Sequence, residues 1–316
     1  MTALEDITKL NSRQFWLDFA QSKFNISEEA GQANLEAIEL KQDLFLEKSD
    51  LFKLEGYLQL GQLYEYDFKP LTDLLHSMHQ AQLPAVFAFV YDEFWQFQAK
   101  FGKLVTQFLG EGAKLMPTVW LWHVDAASEA EILGGKEDKE LATRSLYSGF
   151  YGPHRDKGSK ALFEDGSPKI LSFWLPLTEA TPLNSCISIV PANRDPTYGT
   201  AEDNSWLFKR ADIRALPAKP GDVLFWNEAV LHWACRPAPR HGLEPRMSAG
   251  FEYVCKDYVA NCNPTYDLDY MPSFKERLEI IALQFKLYVT EEGFPASLIE
   301  FIKSNDRLLK IGKEEF

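Results

Sequence analysis

The stretch Pro117-Thr118-Val119-Trp120-Leu121-Trp122-His123-Val124-Asp125 is where the chain changes texture. β-Branched and aromatic residues alternate along it with period two, the mark of a strand with two different faces. Upstream, apolar residues recur at helical spacing. Leu71, Leu74, Leu75 and Met78 predict an amphipathic helix over 67–80, and Phe94, Trp95, Phe97 and Phe101 predict an aromatic-rich helix over 91–109. Ser27-Glu28-Glu29 reads as an N-cap with an acidic first turn, leading a further helix through Leu35, Ile38, Leu44 and Phe45. Leu54 to Leu60 reads as a first strand. Downstream come short strands between turn signals: 143–156, Ile170 to Leu177, Ser185 to Val190, Val223 to Trp226 and Arg246 to Val254. Helical spacing returns at 274–290 and 296–310.

Helices, then many short strands, then helices predict a mainly β chain with helical additions, a sandwich or jelly roll. The expected division is an N-terminal helical extension over 1–50, a strand-rich domain with supporting helices over 51–260, and a C-terminal helical extension over 261–316. The charged, glycine-containing segment 126–142 reads as a surface loop placed to serve as a lid.

At 46% hydrophobic and 14% aromatic, the 316 residues can bury a large core and do not have the composition of a disordered chain. The formal net charge of −13 argues against nucleic acid and anionic membrane surfaces as partners. Cys186, Cys235, Cys255 and Cys262 form no CxxC and no zinc spacing, so free thiols in a reducing cytoplasm are expected. The N-terminus lacks a basic region followed by an apolar one, and no apolar run is long enough to span a bilayer. Monomer and homodimer both stay open.

The chemistry concentrates in Tyr151-Gly152-Pro153-His154-Arg155-Asp156 and in His232, just past Gly221-Asp222-Val223-Leu224-Phe225-Trp226. Positions i and i+2 of a strand point the same way, so His154 and Asp156 can reach one ion. His232 from a distant strand would complete a facial set of two imidazoles and one carboxylate, the arrangement of non-haem Fe(II) oxygenases. His232 flanked by Leu231 and Trp233 also suits a core histidine. Arg246 opens an alternating strand, with turn-forming residues between it and His232, and the two are expected to sit close across an antiparallel pair. A guanidinium there can take a dicarboxylate through two parallel hydrogen bonds. Arg236 and Arg240 are rivals in the turn. His123-Val124-Asp125 is a rival H-x-D, and His76 and His79 have metal-compatible spacing without a third ligand in the sequence around them.

The chain resembles the phytanoyl-CoA dioxygenase (PhyH-like) family of Fe(II)/2-oxoglutarate-dependent oxygenases. The residues that carry the resemblance are Glu55-Gly56-Tyr57-Leu58, His154-Arg155-Asp156, Trp174-Leu175-Pro176-Leu177, Asn184 to Pro191, Gly221 to Phe225, His232 and Arg246. It implies a double-stranded β-helix (cupin-like) core, iron held by His154, Asp156 and His232, and Arg246 on the distal carboxylate of 2-oxoglutarate. Trp174 and Asn184 are implied to line the cosubstrate pocket, and O2 is the second cosubstrate. Related halogenases have a small residue where Asp156 stands, so the carboxylate implies hydroxylation, desaturation or cyclisation. The chain departs from the family at Ala192-Asn193-Arg194, where a glycine-rich turn and a histidine are usual. Trp122, Tyr147 and Trp233 are candidate substrate walls. The expected function is hydroxylation of an unactivated C–H of a small molecule (natural product, amino acid-like or lipid-like) with release of succinate and CO2. The alternative is a non-catalytic or differently metallated jelly-roll binding protein.

Overall fold

Alternation does set the strands, and a computed structural model describes residues 6–125, 152–203, 207–235, 237–238, 244–258, 264–288 and 296–308. The lid expected over 126–142, the upstream part of the 143–156 strand and Tyr147 lie outside these residues. Short helices α1 (Ile7–Leu10) and α2 (Arg13–Phe19) open the chain, and the Ser12 hydroxyl caps α2 by accepting from Phe15 N.

The helix expected after Ser27 does not form. The Ser27 amide and hydroxyl instead donate to the Asp92 carboxylate at 2.8 and 2.6 Å. Farther on, Ile38 N–H donates to Lys100 O, and Leu40 N–H to Gln107 Oε1. With its amides spent on other elements, this segment stays extended and forms only strand β1 (Gly31–Gln32). Helix α3 (Gln42–Glu55) then takes in Leu54 and Glu55, which had read as strand. Gly56 ends it in the left-handed region at φ 77°, donating to Phe52 O, so strand β2 is confined to Tyr57–Leu60. Helix α4 (Lys69–Gln80) buries Leu71, Leu74, Leu75 and Met78 as their spacing predicts. The aromatic segment forms two helices, α5 (Asp92–Ala99) and α6 (Gly102–Leu109), broken where Lys100 O turns to Ile38.

The strands are β3 (Lys114–Val124), β4 (Ile170–Pro176), β5 (Ile187–Val190), β6 (Arg214–Leu216), β7 (Val223–Asn227), β8 (Leu231–Ala234), β9 (Arg246–Val254) and the short β10 (Tyr270–Met271), which pairs with β1. Helices α7 (Phe274–Tyr288) and α8 (Ala296–Ser304) follow. A five-stranded sheet runs β2-β7-β4-β9-β3 and a three-stranded sheet β6-β5-β8, every pair antiparallel. The two sheets face each other across a cavity lined from both, a jelly-roll core of the double-stranded β-helix kind.

The period-two alternation divides the large sheet. Phe173, Phe225 and Phe251 point to the helices, where Phe173 stacks on Phe225 with centroids 4.7 Å apart. That core is continuous with Trp16 of α2, Trp95 of α5 and Phe301 of α8, so the terminal helices are packed into it. Ser172, Trp174, Trp226, Gly250 and Glu252 point the other way, into the cavity. No helix among the described residues is long and apolar enough to cross a membrane.

One pairing differs from expectation. Arg246 and His232 are not neighbours in an antiparallel pair: β8 pairs with β5, whereas β9 pairs with β3 and β4. Strand β8 lies in one sheet and β9 in the other, and the two side chains meet only by facing the same cavity.

Candidate metal centre

The backbone builds most of the site. His154 and His232 form an antiparallel bridge, with His154 N–H donating to His232 O at 3.0 Å and His232 N–H to His154 O at 2.9 Å. Directly paired residues project to the same face, and the two imidazole centroids lie 4.5 Å apart. Asp156, two residues on, brings Oδ1 to 3.6 Å from His154 Nε2 and Oδ2 to 3.6 Å from His232 Nε2. Two donors on one first-row ion with bonds of about 2.1 Å can be at most about 4.2 Å apart, so these gaps suit a shared ion.

The donor chemistry fits as well. His154 Nδ1 lies 2.8 Å from Gly152 O, and His232 Nδ1 lies 3.1 Å from Val230 O. A carbonyl oxygen only accepts, so both Nδ1 atoms carry the proton and both Nε2 atoms present a lone pair towards Asp156. Burial, opposed by the Asp156 charge, lowers the His232 pKa to about 4, which keeps the ring neutral and ligand-competent. Among the described residues this is the one group of three or more such side chains whose donor atoms converge, all within 4.8 Å of one another.

Arg155 points away from its neighbours' side and anchors the motif. Its side chain is 4% exposed, pairs with the buried Asp195 carboxylate, and donates to Thr197 Oγ1 at 3.0 Å and Asp203 O at 2.6 Å. Just after Asp156, the amides of Lys157 and Gly158 both donate to Glu228 O at 3.1 Å. Gly158 has φ 58°, and a Cβ there would collide with the Asp203 carboxylate.

A cavity of about 340 Å³ opens from the three ligands. Register places its floor in rows across the large sheet: Trp226, Ser172 and Glu252, then Trp174, Gly250 and Trp120, then Pro176, Ser248 and Trp122. Gly250 keeps the middle row open, since a Cβ there would sit 3.1 Å from the Trp120 ring. Arg246 closes one end. It is 1% exposed, with Nε donating to Ser185 O at 3.0 Å, Nη2 to Ser185 Oγ at 3.1 Å and Nη1 to Ser248 Oγ at 2.6 Å. Its guanidinium carbon lies 5.8 Å from the ring of Trp174, which lines the cavity beside it. At the other end Glu252 accepts from Thr118, and Glu228, beyond Trp226, accepts from Ser172 Oγ at 3.1 Å. Burial first, then Glu252 and Asp156, pushes Glu228 well above the usual carboxylate range, and burial raises Glu252 to about 7. Burial this complete favours the protonated form of both carboxyls.

Some expected residues stand elsewhere. Asn184 does not line the cavity: Oδ1 accepts from Thr181 N and Oγ1, while Nδ2 donates to Glu179 O and Glu244 O, which makes it the tie of a turn. Trp122 lines the cavity, whereas Trp233 lies on the outer face of β8 with its ring 6.0 Å from Phe208. His123 faces the helices rather than the cavity and meets a third partner that the sequence did not reveal. Its ring stacks on His79 at 4.1 Å and 13°, with His76 at 5.8 Å. Stacked rings direct their nitrogens in parallel, so these donors do not converge on an ion. Burial lowers the pKa of His123 to about 4. Trp226 was missed as a site residue: its Nε1 lies 3.5 Å from Asp156 Oδ2 and its ring 4.5 Å from that of His232. Alternation along Val223–Trp226, read as a face rather than only as a strand, would have found it.

Two antiparallel sheets around two imidazoles and a carboxylate, with a buried arginine in the same cavity, match the arrangement of Fe(II)/2-oxoglutarate-dependent oxygenases. Residues 147–242 match the family described as phytanoyl-CoA dioxygenase (PhyH), the family that the motifs resemble. The matched stretch contains His154, Asp156 and His232. No curated protein matches the chain. Similar solved structures include the α-ketoglutarate-dependent epimerase SnoN from nogalamycin biosynthesis, at 15% identity and TM-score 0.47, covering 68% of this chain and 82% of that one. They include EctD from S. alaskensis with 2-oxoglutarate and 5-hydroxyectoine, at 19% identity and TM-score 0.45, covering 74% and 86%. HygX from Streptomyces hygroscopicus with nickel and 2-oxoglutarate is similar at 14% identity and TM-score 0.42, covering 70% and 89%.

Proposed function

We propose that this oxygenase hydroxylates an unactivated C–H bond of a small molecule, with His154, Asp156 and His232 holding iron and Arg246 holding the distal carboxylate of 2-oxoglutarate. The observation that carries the reading is the pairing of the convergent donor set with a buried arginine at one end of the same aromatic cavity. With 2-oxoglutarate and O2, iron(II) at this position supplies an oxidant strong enough to take a hydrogen from carbon, with succinate and CO2 as co-products. Asp156 fills the position that a halide needs, which favours oxygen transfer over halogenation. Arg246 and Trp174 orient the diacid at one end. Arg246 and Glu252 are six residues apart on one face of β9, about 20 Å along the strand. A five-carbon diacid is far shorter, so the Glu252 end is left for the substrate. The walls of Trp120, Trp122 and Trp226 exclude water from the reacting centre.

Residence in the cytoplasm belongs to the same reading and rests on the free thiols at Cys186, Cys235 and Cys255, and the chain acts as monomer or homodimer. The test is 2-oxoglutarate turnover by Fe(II)-loaded protein over a panel of small natural products, amino acids and lipids, reading succinate and the product mass. A product that gains one oxygen atom, with succinate formed one for one, supports hydroxylation. Turnover that yields only dehydrogenated, cyclised or epimerised products refutes it while keeping the oxygenase. Absence of succinate with every candidate counts against the site assignment itself.

A further inference from the structure

Cys186 and Cys235 take no part in the chemistry above, yet they are placed against each other. The register that pairs Ile187 with Ala234 sets them opposite one position further along β5 and β8, and Cys235 N–H donates to Cys186 O at 3.0 Å. Facing residues in an antiparallel ladder have Cα atoms about 4.5–5.5 Å apart, inside the range of about 4.4–6.8 Å that a disulfide spans. Ser188 Oγ lies 2.9 Å from Cys235 Sγ. Their surroundings differ: Cys186 is buried and Cys235 only half-buried. The Cys186 thiol, then Ser188, draws the Cys235 thiol below its ordinary range, whereas contact with Cys235 and burial push Cys186 up. One thiol is thus the accessible, thiolate-prone partner and the other a shielded resolving partner.

We propose that Cys186 and Cys235 form a reversible dithiol–disulfide site, oxidised by a small-molecule disulfide, that weakens the hold of the protein on 2-oxoglutarate. In the first step Cys235 Sγ attacks one sulfur of the oxidant, and the other sulfur leaves as a thiolate. Cys186 then gives its proton to solvent and attacks Cys235 Sγ, which expels the second small thiol. Two protein thiols are oxidised and one disulfide is reduced to two thiols, so electrons and protons balance. The effect on the cosubstrate comes through Ser185. This residue precedes Cys186, is buried, sits in the left-handed region at φ 78°, and holds Arg246 through both its carbonyl and its hydroxyl. Closing the bond draws the two Cβ atoms to about 3.8 Å and shifts the backbone on which Arg246 leans. This second half of the proposal rests on the reading of Arg246 given above; the cross-link itself does not.

The test uses the full chain, metal-free, incubated with oxidised glutathione. The intact mass falls by about 2 Da, and dithiothreitol restores it. A peptide map shows Cys186 joined to Cys235, which separates this bond from any through Cys255 or Cys262. Cys186→Ser stops at a glutathione adduct on Cys235, and Cys235→Ser gives neither the adduct nor the loss. Wild-type protein that only gains glutathione, or a loss of two hydrogens that persists in Cys186→Ser, overturns the site; the map on wild-type protein decides even if a variant folds poorly. Calorimetry on Mn(II)-loaded protein then reads 2-oxoglutarate affinity, expected to fall roughly three- to tenfold on cross-linking, as for one weakened hydrogen bond. Unchanged affinity in fully cross-linked protein overturns the link to Arg246.

Discussion

Ser185 gives the most informative single substitution, because two opposing terms can be separated there. Its hydroxyl accepts from Arg246 Nη2, and its backbone is held at φ 78°, where a side chain is strained. Ser185→Ala removes the hydroxyl and keeps the strain. Losing one hydrogen bond to a buried charged donor costs about 1.5–3 kcal/mol. Ser185→Gly loses the same bond but relieves about 1–2 kcal/mol of left-handed strain, against about 0.5–1 kcal/mol of added chain entropy in the unfolded state. The glycine variant should therefore be the more stable of the two by up to about 1.5 kcal/mol. Both remove the hydroxyl that accepts from Arg246 Nη2, so both should bind 2-oxoglutarate several-fold more weakly. Denaturant unfolding of the metal-free protein reads the stability order. Calorimetry with Mn(II)-loaded protein reads the affinity. An alanine variant as stable as glycine would show that the turn is not strained, and wild-type affinity in both would show that Ser185 does not position Arg246.

Asp156→Ala should fold normally yet lose iron affinity by more than about a hundredfold, because it removes the carboxylate of the His154–Asp156–His232 set; metal content after dialysis against limiting Fe(II) checks this. Arg155→Met should destabilise the chain by about 3–5 kcal/mol, since it leaves the Asp195 carboxylate buried without its cation, a loss read by denaturant midpoint. Glu252 sets a pH dependence. Its folded-state pKa of about 7 lies above the ordinary value of 4.5, so the fold holds a proton that the unfolded chain releases. Metal-free protein should thus lose stability as pH rises from about 4.5 to about 7, Glu252 contributing about 3 kcal/mol and Glu228 adding to it. Glu252→Gln should flatten that slope, and parallel slopes for wild type and variant would rule the assignment out.

What could be read in the sequence was local. Period two marks β4 and β9 because their faces differ: Phe173 and Phe251 go to the helical core, while Trp174 and Glu252 go to the cavity. Period 3.6 marks α4 for the same reason. His154 and Asp156 share a face by spacing alone. The errors arose where a residue's hydrogen bonds go to a distant partner. Ser27 has the chemistry of a helix cap, but Asp92, held by Arg277, claims both its donors. Gly56 looked like part of a strand because its neighbours alternate, whereas its φ makes it the stop of a helix. Asn184 spends both ends of its amide on a turn whose other half lies at Glu244. The chain between His232 and Arg246 could equally turn a hairpin or cross between sheets, and only the pairing of β8 with β5 decides.

The bridge between His154 and His232 has a consequence for how the protein acquires its metal. Two of the three ligands are held in place by main-chain hydrogen bonds, and each ring is fixed through Nδ1. Folding and loading should therefore be separable, unlike in small domains that fold only around their ion. Stripped protein should keep its tertiary structure under chelators and take up metal again without a slow phase. It should also accept whichever divalent ion arrives first, so the identity of the ion in the cell follows local supply more than any selection by the fold.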